Sequence, residues 1–317
     1  MVAAGNDYTM ALHQEGSLWV TGRNNHGQLG AGSNIGKIYS IRQIATNVAF
    51  VAAGAWHSMI VKQDGSVWAT GLNNYGQLGD GSKTDRNSFI KVVASRAQAL
   101  ALGFSHSMML KKDGSVWATG RNNCGQLGDG SKISRNGFGY IVCSGAKAVA
   151  AGGYHSMMLR QDGSVWVTGC NRYGQLGDGS TTDRTTYIQV LSSGTETIAG
   201  GGLHSMAVKQ DGSVWTSGHN AQGQLGDGST RSRNSFQQVV SGGVQAVGAG
   251  MLHSLAQGQY GQRVWSTGYN NCGQLGVEST TGQYVFVSAV LSYSLASSIR
   301  TYTYSMVSTA GDCTENI

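Results

Sequence analysis

Residues 48–93 read VAFVAAGAWHSMIVKQDGSVWATGLNNYGQLGDGSKTDRNSFIKVV. Apolar runs at Val48–Ala53 and His57–Val61 flank a glycine-containing turn. An Asp-Gly hairpin turn leads into a third run, Ser66–Thr70, and a long polar loop precedes a fourth, Phe89–Val93. β-Branched and aromatic residues favour strands, and no apolar period of about 3.6 residues indicates a helix. The segment therefore predicts four short antiparallel strands, which we call a, b, c and d in chain order.

This unit recurs along the chain with a period of about 49 residues. The period is marked by one tryptophan in each copy: Trp19, Trp68, Trp117, Trp166, Trp215 and Trp265. The tetrapeptide Gly-Gln-Leu-Gly recurs at 27–30, 76–79, 125–128, 174–177, 223–226 and 273–276. A period near 50 with glycine-rich turns is typical of a propeller, whose radial sheets leave few exposed edges. We expect an all-β protein, with a single β-propeller domain over residues 1–317 and four antiparallel strands in each blade.

The number of blades depends on how the strands are grouped. The a–b pair occurs seven times, whereas strands c and d occur six times each. Blades written d-a-b-c give a seven-bladed propeller of 26 strands, in which blade 1 lacks d and blade 7 lacks c at the seam. The seventh b strand is placed at Tyr304–Ser308. The alternatives are six blades with a spare terminal hairpin, or a fragment of a longer chain.

Composition bounds the function classes. Of the 317 residues, 12% are charged, against about 25% in an average globular protein. The net charge of +6 is spread along the chain without a Lys/Arg run, so no specific nucleic-acid binding is expected. No stretch of about 18 apolar residues occurs, so no membrane partner is expected. No signal peptide is visible, which favours a cytoplasmic or nuclear location.

No residue pattern indicates catalysis, a cofactor or a metal. The five cysteines are not at zinc-binding spacing, and we expect no disulfide framework. Cys124 and Cys272 occupy a variable slot that holds Tyr75 and Tyr173 in other repeats. One histidine per blade would be too dispersed to share an ion, and the repeated His-Ser pairs single out no catalytic triad. The chain is therefore expected to have no cofactor, no small-molecule substrate and no enzymatic activity.

The residues that repeat in every unit have structural interpretations. We expect each tryptophan to pack between blades. We expect each histidine to be half-buried and bonded to the backbone of the glycine turn beside it. The histidines are His57, His106, His155, His204 and His253. The aspartates of the Gly-Asp-Gly-Ser loops are expected to stabilise turns, because calcium loops need several further oxygen ligands. They are Asp80, Asp129, Asp178 and Asp227.

The residues that vary between units lie on one face of the predicted disc. Strand direction places the a–b turns and the c–d loops on that face, and the uniform, polar b–c hairpins on the other. The variable face collects aromatic residues, Met and Arg, which are enriched at binding hot spots. We predict that a protein partner binds through the following residues: Trp56, Phe104, Tyr154, Leu203, Met251, Leu252, Arg23, Arg121, Tyr75, Tyr173 and Tyr269.

Two arrangements of these side chains remain open at this point. They either face solvent as an apolar patch with a basic rim, or fold inward and fill the central channel. The predicted rim consists of Lys83, Arg86, Lys132, Arg135, Arg184, Arg231 and Arg233.

The motif Ala52–Ser58, followed by Asp64–Trp68 and Gly71–Gly79, resembles the repeat of the regulator of chromosome condensation family. The resemblance covers nearly the whole chain and implies a seven-bladed propeller that recognises proteins. Family members include exchange factors for the small GTPase Ran, modules of large ubiquitin ligases, a plant ultraviolet photoreceptor and a secreted β-lactamase inhibitor. This chain departs from the family in lacking the proline that often precedes strand d, and in its degenerate seventh repeat.

The resulting functional prediction is a non-enzymatic protein–protein interaction scaffold that presents the variable face to a partner or a larger complex. One alternative is guanine-nucleotide exchange on a small GTPase. The family's exchange factors carry an extra wedge hairpin, whereas no wedge is visible in the near-constant period here, whose only insertion is one residue near Tyr260. The other alternative is a secreted inhibitor or adhesion module, which would require a signal peptide in the full gene.

Overall fold

The structure is a computed structural model that describes residues 1–259 and 263–289. In these two ranges the chain forms 24 strands in six four-stranded sheets. In chain order the strands are β1 Val2–Ala4, β2 Tyr8–Leu12, β3 Leu18–Arg23, β4 Lys37–Ala45, β5 Val48–Ala53, β6 His57–Lys62, β7 Val67–Gly71, β8 Arg86–Val93, β9 Ala97–Leu102, β10 His106–Lys111, β11 Val116–Gly120, β12 Arg135–Val142, β13 Ala146–Ala151, β14 His155–Arg160, β15 Val165–Gly169, β16 Arg184–Leu191, β17 Thr195–Gly200, β18 His204–Lys209, β19 Val214–Gly218, β20 Arg233–Val240, β21 Val244–Ala249, β22 His253–Gly258, β23 Val264–Gly268 and β24 Gln283–Ser288. Each consecutive set of four is one antiparallel blade, numbered 1 to 6.

The prediction of four strands per repeat is confirmed. In blade 2 the strands β5, β6 and β7 lie where the sequence places a, b and c, while the outer strand β8 begins at Arg86, before the predicted Phe89. The register pairs Trp68 with Lys91 and Gly71 with Arg86, with an irregularity between Ala69 and Gly71. The outer strand is therefore longer than its apolar residues alone indicate.

The prediction of seven blades grouped d-a-b-c is wrong. The described residues form a six-bladed propeller in which each outer strand pairs with the c strand of its own repeat, as β8 does with β7. The long c–d loop lets strand d return antiparallel beside c, so each repeat of about 49 residues completes its own sheet. Blade 1 has its own outer strand, β4, which the sequence grouping assigned to blade 2. The predicted strand at Tyr304–Ser308 lies outside the described residues.

The core lies between consecutive blades because both faces of each sheet are apolar. Successive side chains of a strand point to opposite faces. In blade 2, Val51 and Ile60 pack in the cluster shared with blade 1, whereas Met59 and Val61 pack in the cluster shared with blade 3. The inner strands β1, β5, β9, β13, β17 and β21 contact one another in succession. Trp68 packs against the cluster of blades 1 and 2, which confirms the predicted position of the tryptophans between blades.

The last glycine of the Gly-Gln-Leu-Gly loop receives an aromatic ring from the next blade in blades 1 to 5. Gly30 has a φ of +68°, and a Cβ there would collide with the ring of Phe89. The same relation holds between Gly79 and Phe138, so the repeated glycine makes room for the outer strand of the following blade.

Among the described residues, no helix is long and apolar enough to span a lipid bilayer.

Candidate functional site

The a–b turns and the c–d loops lie on one face, as predicted. The backbone of the residue after each c strand bonds to the a–b turn of the same blade. Leu72 N donates to Trp56 O at 2.8 Å, and Arg121 N donates to Ser105 O at 2.8 Å. These bonds fix the variable turns and the loops that follow strand c against each other.

The a–b turns are linked to one another around the centre of the propeller. Ala55 N donates to Gly103 O at 3.4 Å, and Phe104 N donates to Gly153 O at 3.2 Å. Gly153 N donates in turn to Gly201 O at 3.0 Å. Turn amides of blades 2, 3 and 4 are therefore satisfied by the turns of the following blades, which holds the variable face as a rigid unit.

Side chains from distant blades meet above these turns. Ala55 and Phe104 are buried, and Trp56, Tyr154 and Met251 pack against them. The rings of Phe104 and Tyr154 meet edge to face with centroids 5.0 Å apart. We call these five residues the axial cluster. It contains residues of blades 2, 3, 4 and 6. Of the two arrangements left open by the sequence, packing of the side chains against one another therefore applies to four predicted binding residues: Trp56, Phe104, Tyr154 and Met251.

The predicted binding residues differ in how much surface they retain. Phe104 is 8% exposed and fills the interior of the axial cluster. The other predicted turn residues are half-buried and keep surface on the variable face: Trp56, Tyr154, Leu203, Met251 and Leu252. Their role in binding a partner stays a prediction, and Phe104 is the member least accessible to one.

The two other variable series contact each other across blade junctions. At the junctions of blades 2 and 3 and of blades 4 and 5, a residue of one c–d loop meets the residue that follows the c strand of the next blade. The Arg121 guanidinium lies 4.9 Å from the Tyr75 ring, and the Tyr173 and His219 ring centroids are 4.7 Å apart. We call such contacts junction pairs. Sequence variation at these positions is therefore matched between neighbouring blades.

At the junction of blades 3 and 4 the pair is a disulfide. Cys124 and Cys170 are bonded to each other, and Cys272 is also disulfide-bonded. The expectation of no disulfide framework is wrong at this junction, because a sequence separation of 46 brings the two slots of one junction together. Among the described residues Cys143 is free and exposed.

The remaining predicted residues make local contacts. Arg23 forms an ion pair with Asp7 at 3.4 Å between Nη1 and Oδ2. Tyr269 is half-buried, and its amide donates to Leu252 O at 2.9 Å. Both residues lie on the variable face because the backbone amide of each, at the end of a c strand, donates to the a–b turn of its own blade.

Beneath the variable face, the repeated histidines connect successive blades. His57 Nε2 lies 2.8 Å from Ser107 Oγ, and that hydroxyl donates to Gln77 O at 2.7 Å. Because the serine hydrogen is directed to the carbonyl, the serine accepts from Nε2–H and the imidazole is the neutral Nε2 tautomer. The other His–Ser contacts are His106–Ser156, His155–Ser205 and His204–Ser254. We call this set the His–Ser ring.

The histidines are more buried than the sequence predicted. The imidazole of His57 has no exposed surface, and a Cβ at Gly54 would collide with it. The predicted bond to the backbone of the glycine turn is wrong, since Nε2 bonds to a serine of the next blade. Burial lowers the pKa of His57 to about 3 and that of His106 to about 4. In blade 1 Tyr8 takes the histidine position, with its hydroxyl 3.0 Å from Ser58 Oγ.

The repeat segments match a known family. The Regulator of chromosome condensation (RCC1) repeat is matched at residues 2–28, 48–77, 97–126, 146–175 and 196–224. A second form of the same repeat is matched at residues 64–110 and 162–208. Together the matches span more than half of the chain. The chain belongs to the RCC1 repeat family.

Several solved structures share the fold of this RCC1 propeller. Human WBSCR16 has a TM-score of 0.82 at 20% sequence identity, covering 92% of this chain and 82% of the other. Saccharomyces cerevisiae Prp20p, whose structure is described together with its binding properties to Gsp1p and histones, has a TM-score of 0.82 at 23% identity, covering 92% and 76%. Yeast RCC1 (Prp20) bound to Kap60 has a TM-score of 0.78 at 21% identity, covering 92% and 74%. No curated protein is significantly similar in sequence.

Four arginines of the predicted basic rim are ion-paired inside their own loops. Arg135 Nε lies 2.7 Å from Asp129 Oδ2, and Asp129 Oδ1 accepts from Ser131 N and Asn122 Nδ2. Burial alone would raise the pKa of Asp129, but the hydrogen bonds from Ser131 and Arg135 bring it below its usual value. The same ion pair joins Arg86 to Asp80, Arg184 to Asp178 and Arg233 to Asp227. The predicted turn role of these aspartates is confirmed, and the rim retains Lys83, Lys132 and Arg231 as exposed cations.

Away from the variable face, the RCC1 propeller has a cavity of about 310 Å³ among the inner strands of blades 2 to 5. Its lining is mostly apolar, with Ala99, Val149 and Ile198 among the lining residues. Its charged lining residues, Lys147 and Glu196, form an ion pair with each other at 2.8 Å.

Proposed function

We propose that this RCC1 propeller is a non-enzymatic protein-interaction scaffold whose partner binds on the variable face. The observation that carries the proposal is the axial cluster, where the half-buried rings of Trp56 and Tyr154 rest on a network of turns bonded to one another. Large aromatic side chains on a rigid base lose little entropy on binding, and they are enriched at interface hot spots.

The junction pairs narrow the candidate interface. Tyr75 and Tyr173 already contact residues of the next blade, so their variation has a structural cause. Arg121 lies between two rings, 4.9 Å from Tyr75 and 5.4 Å from Tyr154, and joins the axial cluster to a junction pair. We therefore place the main contacts at Trp56, Tyr154 and Leu203, with Arg121 at their edge.

The test is a binding comparison between two folded variants. One carries Trp56→Ser and Tyr154→Ser on the variable face. Its matched control carries Lys112→Ser and Gln161→Ser, which are exposed hairpin residues of the opposite face. Partners are captured on the immobilised chain from extract of the source cells, identified by mass spectrometry and measured again in purified form. Both variants must first unfold cooperatively at temperatures near that of the parent.

We expect the variable-face variant to bind the purified partner at least about 30-fold more weakly, because truncating a hot-spot aromatic costs about 2 kcal/mol or more. The control variant should bind as the parent does. A partner that is retained by the first variant and lost by the second would place the interface on the hairpin face and contradict the proposal.

Nucleotide exchange is kept as a second candidate because the chain shares its fold with Prp20p, described with its binding to Gsp1p. Exchange requires the partner to be a GTPase and requires its bound nucleotide to be released faster in the presence of the propeller. Release of a fluorescent guanine nucleotide from a captured GTPase separates the two candidates. Faster nucleotide release supports exchange, and binding without faster release supports the scaffold. We propose that the protein acts in the cytoplasm or nucleus.

A further inference from the structure

Three side chains with metal-binding atoms converge at the junction of blades 3 and 4. Cys124 comes from the c–d loop of blade 3, Cys170 follows strand β15, and Asp183 comes from the c–d loop of blade 4. The two sulfur atoms and a carboxylate oxygen all lie within 4.8 Å of one another. All three residues are half-buried, so the cluster is reachable from solvent.

We propose that this junction is a redox-gated zinc site. In the oxidised state the two cysteines form the disulfide that the structure contains. After reduction, the thiolates of Cys124 and Cys170 and the carboxylate of Asp183 bind one Zn²⁺ ion, and water completes four-coordination. Thiolate sulfur and carboxylate oxygen are both ordinary zinc ligands.

The spacing of the three ligand atoms suits one ion. Two thiolates bound at about 2.3 Å to the same zinc ion lie at most about 4.6 Å apart, and a carboxylate oxygen binds at about 2.0–2.2 Å. The three ligand atoms already lie within 4.8 Å of one another. Once the disulfide is reduced, small side-chain rotations can therefore bring all three to bonding distance from one ion. No movement of one blade against the other is required.

Asp183 is held in place by a bond that leaves one of its oxygens for the ion. Its Oδ1 accepts from Asn171 N at 2.8 Å. Asp85 in blade 2 is held in the same way by Asn73 N at 2.8 Å, and it reaches across its junction to His26, with 3.7 Å between Oδ2 and Nδ1. An acidic side chain aimed at the variable slot of the preceding blade is thus a feature of two junctions.

The propeller does not depend on a covalent bond at this position. At the neighbouring junctions the equivalent slots hold Tyr75 with Arg121, and Tyr173 with His219, in non-covalent contact. The His–Ser ring joins the same blades beneath, through His106 Nε2 and Ser156 Oγ at 3.0 Å. Opening the disulfide therefore leaves blades 3 and 4 packed, and the two thiols stay next to each other.

The chemistry balances with a dithiol as the reductant. The dithiol gives two electrons and two protons to the Cys124–Cys170 bond, which yields two thiols and the disulfide of the reductant. Zinc binding then displaces the two thiol protons into solvent. Reoxidation by a disulfide of the same class releases the ion.

The test uses Co²⁺ as a spectroscopic substitute for Zn²⁺ on the full chain. The protein is reduced with a phosphine, freed of the reductant without air, and titrated with Co²⁺. We expect thiolate-to-cobalt charge-transfer absorption that saturates at one equivalent and disappears when Zn²⁺ is added. The oxidised chain should give no such absorption.

Variants assign the ligands. Cys170→Ser should abolish the charge-transfer absorption, and Asp183→Asn should retain it while weakening the affinity by about tenfold or more. Asp85→Asn, Cys143→Ser and Cys272→Ser are matched controls that should bind as the parent does. Cooperative thermal unfolding of the reduced Cys170→Ser chain shows that any loss is not a loss of fold.

Three results would overturn the proposal. The first is absence of binding by the reduced parent at micromolar Co²⁺ or Zn²⁺. The second is equal binding by the oxidised chain or by Cys170→Ser. The third is loss of the absorption in Cys272→Ser, which would move the thiolate site to a different cysteine.

Discussion

The same blades are joined twice, once by the His–Ser ring and once by the junction pairs, and the two sets of contacts differ in variety. In the ring, four successive junctions use the same bond from His Nε2 to Ser Oγ, at 2.8–3.0 Å. In the junction pairs, three consecutive junctions use an arginine–tyrosine contact, a disulfide and a tyrosine–histidine contact.

Burial explains the difference. The ring residues have no access to water, so any change of one partner leaves a buried polar group without a hydrogen bond. The junction residues are half-buried, and water can satisfy whatever the pair leaves open. A pair can therefore be replaced by a different pair as long as the two side chains remain complementary. Variation between repeats thus marks solvent access, and it does not by itself mark a binding site.

The four histidines of the His–Ser ring, together with the buried His253 of blade 6, make the protein sensitive to mild acid, and this is the largest effect we predict. The pKa of an unfolded histidine is about 6.5, whereas burial holds the pKa of His57, His155 and His204 at about 3 and that of His106 and His253 at about 4. As the pH falls below about 6.5, the unfolded chain takes up protons that the folded chain does not. Each such histidine lowers the free energy of unfolding by about 1.4 kcal/mol per pH unit.

Urea unfolding followed by circular dichroism between pH 7.5 and pH 4.5 measures this effect. The slope of the unfolding free energy should correspond to the uptake of about five protons near pH 5. In His106→Gln the side-chain amide still donates to Ser156, and the slope should fall by about one proton. A free energy that stays constant between pH 7 and pH 5 would show that the imidazoles are protonated in the folded state.

A single serine tests the ring at one junction. Ser156→Ala leaves both the Nε2–H of His106 and the carbonyl oxygen of Gln126 without their partner inside the core. We expect the free energy of unfolding to fall by about 2–3 kcal/mol. Ser144→Ala, at an exposed position of blade 3, is the matched control and should change stability by less than about 0.5 kcal/mol. Equal stability of the two variants would mean that the ring contributes little.

The sequence predicted the contacts that repeat better than those that vary. Strands, period and the position of Trp68 between blades follow from local pattern, because each repeat presents the same apolar alternation. The blade boundary was missed because strand order within a sheet depends on which neighbour strand d pairs with, and the pattern of a repeat is the same in both groupings. The bond from His57 to Ser107 was missed because its partners are 50 residues apart.

The sequence predicted which face carries the variable residues. It did not predict that these residues contact one another in pairs across the blade junctions. Tyr75 and Arg121 were both predicted to contact a protein partner, although in the structure they contact each other. A signal was present in the sequence, since Tyr75 and Arg121 have the same separation of 46 residues as Cys124 and Cys170. That signal becomes interpretable only once the blades are known to contact each other at this offset.

The smallest predicted effect is the energy of interaction between the two residues of one junction pair. In a double-mutant cycle of Tyr75→Ala and Arg121→Ala, we expect a coupling energy of about 0.5–1 kcal/mol, typical of a cation–π contact with solvent access. Because Arg121 also lies 5.4 Å from the Tyr154 ring, a second cycle with Tyr154→Ala should give a smaller coupling. Chemical unfolding of the three single and two double variants provides the energies. A coupling energy near zero in the first cycle would show that Tyr75 and Arg121 do not stabilise each other. Tyr75 would then again be a candidate for binding the partner, together with Trp56.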